Sequence, residues 1–169
     1  MTKKLNTEIL VKKAEQCIIF DKFTDAEKLL RKAIKQEYLN PEAHYLLGEA
    51  LCKQELFEES ITELEKADAL LPDNPKISQL LGWAIYMNGN PKKGRGLLIK
   101  ALKQIPGDVS ILCDLAVLEN QQEDDEKAEE YAVEAIKKDP NNPMAQDVLQ
   151  NIMRFSKLRK LIKEKHSVN

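Results

Sequence analysis

A spacing of 34 residues governs this chain. Written in frames of that length from Thr7, Pro41, Pro75 and Val109, with a partial fifth from Pro143, it aligns without an insertion or deletion. The eighth place of successive frames holds Ala14, Gly48, Gly82 and Ala116, and the twentieth holds Ala26, Ser60, Gly94 and Ala128. The twenty-seventh is Ala33, Ala67, Ala101 and Ala135. Small residues recurring at three places mean helices that approach closely at three contacts. Leu47, Leu81 and Leu115 at the seventh place, with Leu30, Leu64 and Leu98 at the twenty-fourth, supply bulk between them. A period in this range marks a repeat architecture, whose units bury their apolar faces only by stacking on neighbours.

The prolines keep the same step. Pro72, Pro106 and Pro140 close frames, and Pro41, Pro75 and Pro143 open the next, where a helix does not need the missing N–H. Inside a frame, Ile77, Leu80, Leu81, Ala84 and Ile85 recur at helical spacing, then Leu97, Leu98, Ala101 and Leu102. Between them lies NGNPKKGRG, where Asn90 reads as N-cap and Pro91 as the first helical residue. Each frame is therefore helix–turn–helix. No alternating pattern competes, and 6 Gly with 7 Pro in 169 residues are too few for a turn-dense β-sandwich.

In these frames the chain resembles the tetratricopeptide repeat (TPR) family, whose 34-residue unit carries a Leu-Gly step, recurring Ala and a closing Pro, as in LLGEALCKQELFEESITELEKADALLP. The resemblance implies an all-α, right-handed α-solenoid. Its repeats span 7–40, 41–74, 75–108 and 109–142, with 143–165 similar to a capping helix, in one domain over 1–169. Repeat 1 departs at Lys13 and Tyr38, as a terminal repeat with one unpartnered face does. The frequent Trp of the fourth place is replaced by Leu10, His44, Ser78 and Leu112. Pro91, Gly94 and Gly96 in repeat 3, and Asp125 and Ala132 in repeat 4, predict looser packing there than in repeat 2.

In such a stack the first helix of each repeat lines a concave face, and places 2, 5, 9, 12 and 13 share one stripe of it. That stripe places Val11 and Glu15 in repeat 1, Glu42, Tyr45 and Glu49 in repeat 2, and Lys76, Gln79, Trp83, Tyr86 and Met87 in repeat 3. Cys113 and Asn120 follow in repeat 4. The only Trp and two of the four Tyr thus fall on a face that packing should leave open, and rigid aromatics on such a face are binding hot spots. Glu8, Glu15, Glu42 and Glu49 make its first half acidic. The expected partner is a protein or peptide with basic and apolar residues, extended or helical. The carboxylate clamp known in this family is not repeated: its places hold Val11, Glu15, Leu46, Lys76 and Leu80, of which only Lys76 is suitable.

The C-terminal helix continues past its capping residues. Phe155, Leu158 and Ile162 extend an apolar stripe among six basic residues and one acid in positions 154–165, a candidate surface for self-association and homodimer formation or for docking on an acidic or membrane surface. Glu119–Glu130, with seven acids and one Lys, offers the tail an internal partner.

The remaining chemistry is sparse. A formal charge of −2 excludes a general polyanion binder, and the basic tail lacks the interleaved aromatics of a nucleic-acid surface. Cys17, Cys52 and Cys113 form no metal or disulfide pattern, His44 and His166 have no nucleophile or ligand beside them, and EDDE at 123–126 lacks a calcium loop's alternation. No catalytic constellation, metal site or cofactor motif is legible, nor a signal peptide or membrane span, so a reducing cytoplasm is the expected compartment. The leading expectation is a non-catalytic protein-binding adaptor. The alternatives are a small TPR chaperone that masks a secreted or assembling partner and a self-associating scaffold built on the C-terminal helix.

Overall fold

The computed structural model describes the backbone of residues 2–167 and the side chains of residues 5–164; the side chains of Lys165 and His166 therefore lie outside the described residues. Every regular element among them is a helix: α1 (Thr2–Ile19), α2 (Phe23–Gln36), α3 (Pro41–Lys53), α4 (Phe57–Leu70), α5 (Pro75–Met87), α6 (Pro91–Gln104), α7 (Val109–Gln121), α8 (Asp125–Lys138) and α9 (Pro143–Ser167). The 34-residue step is built into their ends. Asn40, Asn74, Asp108 and Asn142 stand one residue before α3, α5, α7 and α9 and accept hydrogen bonds from the backbone of Ala43, Ile77, Ile111 and Ala145. A side-chain oxygen at that place satisfies a donor that the first turn leaves unpaired. The turn inside each hairpin carries a left-handed residue at the same step, Asp21, Glu55, Gly89 and Glu123, with φ between 55° and 89°.

The hairpins close on their small residues. Ser60 Oγ donates to the Gly48 carbonyl at 2.7 Å across α3 and α4. A Cβ added to Gly94 would lie 2.6 Å from the Gly82 carbonyl oxygen, so α5 and α6 approach as near as two backbones with one glycine between them allow. The looseness expected of repeat 3 from Gly94 is thereby reversed: the glycine marks a tight contact, while Gly96 faces open space.

The chain divides into two compact units, Met1–Leu97 and Leu98–Asn169, the division falling within α6, and each unit has core clusters of its own. In the first unit Leu10, Ala14, Leu30, Ala33, Leu47 and Leu51 form one cluster, and Leu64, Leu81 and Ile85 another. His44 is wholly buried in this unit, with Nδ1 2.6 Å from Glu63 Oε2 and Nε2 2.8 Å from the Tyr38 carbonyl. Burial alone would raise the Glu63 carboxyl, but hydrogen bonds from Lys66 and His44 bring it below its ordinary value. In the second unit Ala116, Ala128 and Ala132 pack under Ile152 of α9, with Val148 and Leu149 at the edge, so α9 covers α7 and α8.

Candidate partner-binding surface

Within the first unit, α3 and α5 present most of the residues that the sequence places on a binding stripe. Glu42 and Lys76 are exposed, Tyr45, Glu49, Gln79 and Trp83 are half-buried, and Met87 is exposed; Glu15 on α1 is exposed as well. Burial raises the Glu49 carboxyl above its ordinary value; Lys53 opposes this, Glu15 adds to it, and Lys76 opposes it more weakly. Burial, helped by the charge of Glu49, pushes the Tyr45 phenol up to about 12, so it stays a neutral donor at physiological pH. Trp83 tilts at 50° against Tyr86 with ring centroids 5.6 Å apart. Beside Tyr45, where the start of α3 meets the α4–α5 turn, Pro41, Leu71, Asn74 and Ile77 complete a hollow of about 200 Å³ with Glu42 and Lys76 at its rim. Leu71, which lines it, is 45% exposed.

Three of the stripe residues are not open. Val11 is buried among Leu10, Ala14 and Leu46, and Cys113 among Leu112, Ala135 and Ala145. Both stand at the fifth place of their frames and are short enough to be covered there, whereas the longer Tyr45 and Gln79 at the same place stay half-buried. Burial, with Asp114 and Asp108 contributing, pushes the Cys113 thiol up to about 11, which removes it as a nucleophile. Tyr86 is also buried, because its side chain fills the space that Gly94 leaves beside α6. It braces Trp83 and presents no face of its own to a partner. The Leu71–Ile77 hollow was missed in the sequence; its signal was a leucine, Leu71, directly before the joint Pro72.

In the second unit the stripe is occupied by the chain itself. Arg159 of α9 donates through Nη2 to Asn120 Oδ1 at 2.5 Å and to the Asp125 carboxylate, bridging the end of α7 and the start of α8. That hydrogen bond is the main reason the Asp125 carboxyl sits below its ordinary value, against a smaller opposing effect of burial. The acidic segment thus does meet the basic tail, through Asp125. A hollow of about 650 Å³ remains between α7 and α9, lined by Val117, Asn120, Gln121, Glu123, Asn151, Phe155 and Arg159. Phe155, Leu158 and Ile162 are 47%, 45% and 55% exposed.

No group of three or more His, Cys, Asp or Glu side chains is placed to hold a metal among the described residues, and no helix among them is long and apolar enough to cross a membrane.

Comparison with known proteins agrees on the fold. The family model of the tetratricopeptide repeat matches residues 21–75 and 80–143. No curated protein matches the chain. Among solved structures, the APC/C hetero-tetramer Cut9–Hcn1 superposes with a TM-score of 0.79 at 16% identity, over 87% of this chain but 30% of that one. The pilF protein of Pseudomonas aeruginosa gives 0.78 at 15% identity, over 98% of this chain and 75% of that one. YrrB, a TPR protein described as having an unusual peptide-binding site, gives 0.66 at 15% identity, over 94% and 90%. At such identities these likenesses show the fold alone, and the chain spans less than a third of the first.

Proposed function

The chain belongs to the tetratricopeptide-repeat family, and on that premise we propose that it is a non-catalytic adaptor whose first unit binds a protein or peptide segment on the α3–α5 surface. The observation that carries this reading is the set formed by Tyr45, Glu49 and Trp83: aromatic surface and an under-compensated carboxylate, half-buried together beside an apolar hollow. Lys53 and Lys76 offset the burial of this carboxylate only in part, so a partner's Lys or Arg supplies the rest. An apolar side chain of the partner fills the Leu71–Ile77 hollow, and Trp83 and Met87 extend the contact. Recognition is then of a segment with a cation next to an apolar anchor, and the family's carboxylate-tail partners are disfavoured by Glu15, Glu42 and Glu49. Helical-repeat solenoids work through such protein contacts, and the peptide-binding site described for YrrB is consistent with this use of the fold. A reducing cytoplasm suits three cysteines that are joined in no disulfide.

The test is affinity capture from source-cell lysate with wild type beside Tyr45→Ala/Trp83→Ala, circular dichroism confirming that the variant folds. Tyr86 is left intact because its loss would open the α5–α6 contact. A partner captured by the wild type and lost with the folded variant supports the reading, and Trp83 fluorescence then maps the bound segment. Identical capture by both proteins refutes it.

A further inference from the structure

The adaptor surface has a counterpart on the same chain. Helix α9 runs 25 residues where α3, α5 and α7 run 13, so about 18 Å of it extends beyond an inner helix's length. One side of that extension is committed: Ser156 is buried and Arg159 bridges Asn120 and Asp125. At 100° per residue, Phe155, Leu158 and Ile162 form a second stripe about 100° further round, and all three are half exposed to water. Arg154 falls beside Leu158 at its edge, while Lys157 and Lys160 lie further round toward the opposite side of the helix, all exposed. An apolar stripe with a cation at its edge, on a helix of basic character, is the chemistry that the α3–α5 surface selects.

We propose that α9 of one copy docks its Phe155–Leu158–Ile162 stripe on the α3–α5 surface of a second copy. The inference rests on the adaptor reading and names one occupant for that surface. Charge separates this surface from the exposed apolar face of α1. Leu5 and Ile9 of α1 are exposed too, but there Lys12 and Lys13 outnumber Glu8, whereas beside the α3–α5 surface Glu15, Glu42 and Glu49 outnumber Lys53 and Lys76, so a basic helix is favoured there. The contact joins different surfaces of the two copies, so a pair keeps one free groove and one free tail, and assembly grows with concentration until it closes into a ring or continues.

Analytical ultracentrifugation of the full chain tests this. The wild type should rise above 19.3 kDa as concentration increases. Glu15→Lys/Glu42→Lys, which reverses the groove, and Leu158→Ser/Ile162→Ser, which strips the tail, should each hold the chain at single-chain mass. Mixed in equal amounts, they should give about twice 19.3 kDa and nothing larger, because one intact groove meets one intact tail. These positions are exposed, and thermal melts verify folding; truncation after Asn151 is avoided because it removes the buried Ile152. A wild type that stays single at every concentration overturns the proposal, with or without sedimentation on anionic vesicles. So does a groove-reversed variant that still pairs while the stripped tail does not, since α9 would then pair with α9. None of these outcomes touches the adaptor reading, which stands or falls on the capture of a foreign partner by Tyr45 and Trp83.

Discussion

At the scale of single residues, two positions separate what the fold needs from what binding needs. Gly89 takes φ 89° in the α5–α6 turn, and a Cβ there would meet nothing within 4 Å. Only the backbone conformation is at stake, so Gly89→Ala should destabilise by about 1 kcal/mol, read in chemical denaturation. The equivalent Asp21, Glu55 and Glu123 already bear that conformation without glycine. Glu49 is the opposite case. Its folded carboxyl is raised, so the ionised form costs stability above that value, and the cost is relieved as pH falls through it. Glu49→Gln should therefore raise the melting temperature of the free protein slightly at pH 7, with the gain vanishing in acid, while it weakens partner capture. A variant that loses both stability and binding would make Glu49 a structural residue.

At the scale of elements, much of the architecture was legible and one essential contact was not. The joint prolines bound the helices because a residue without an N–H fits only at a first turn, and the recurring alanines mark close contacts because nothing larger fits there. The caps at Asn40, Asn74, Asp108 and Asn142 are equally periodic, although in the sequence only Asn90 was read as one. Tyr86 could not be placed, since its burial depends on a missing side chain at Gly94 on a different helix. The reach of Arg159 to Asn120 and Asp125 crosses 34–39 positions and has no periodic signature, although the charge imbalance of both segments pointed to it. That bridge should matter to α9 alone. Arg159→Ala removes two charge-assisted hydrogen bonds but also frees a buried Nε that has no partner, so the net loss is about 1–2 kcal/mol. Hydrogen exchange should quicken in α9 beyond Ser156 and remain unchanged at Ala145–Ile152. Because the folded Asp125 carboxyl is depressed, the bridge contributes above the ordinary Asp range and is lost as pH falls through the folded value.

At the scale of the whole molecule, a chain that buries its apolar surface cluster by cluster has no single core whose loss melts everything at once. The first unit carries the surface proposed for a partner, while in the second Asn120 of the corresponding stripe is held by Arg159 of α9. Local stability should follow that division. Leu64 is fully buried against Leu81, Ala84 and Ile85 in the first unit. Leu64→Ala leaves a cavity there and should cost about 2–4 kcal/mol. In a nearest-neighbour stack the cost is borne by the hairpins that touch the cavity and fades along the chain. Amide exchange should therefore accelerate across α3–α5 and change little in α7–α9, with partner capture weakened because Tyr45 and Trp83 pack on the same cluster. Uniform acceleration over all the helices would instead mean that the chain opens as one cooperative body, and the adaptor surface could not be tuned without destabilising the cap.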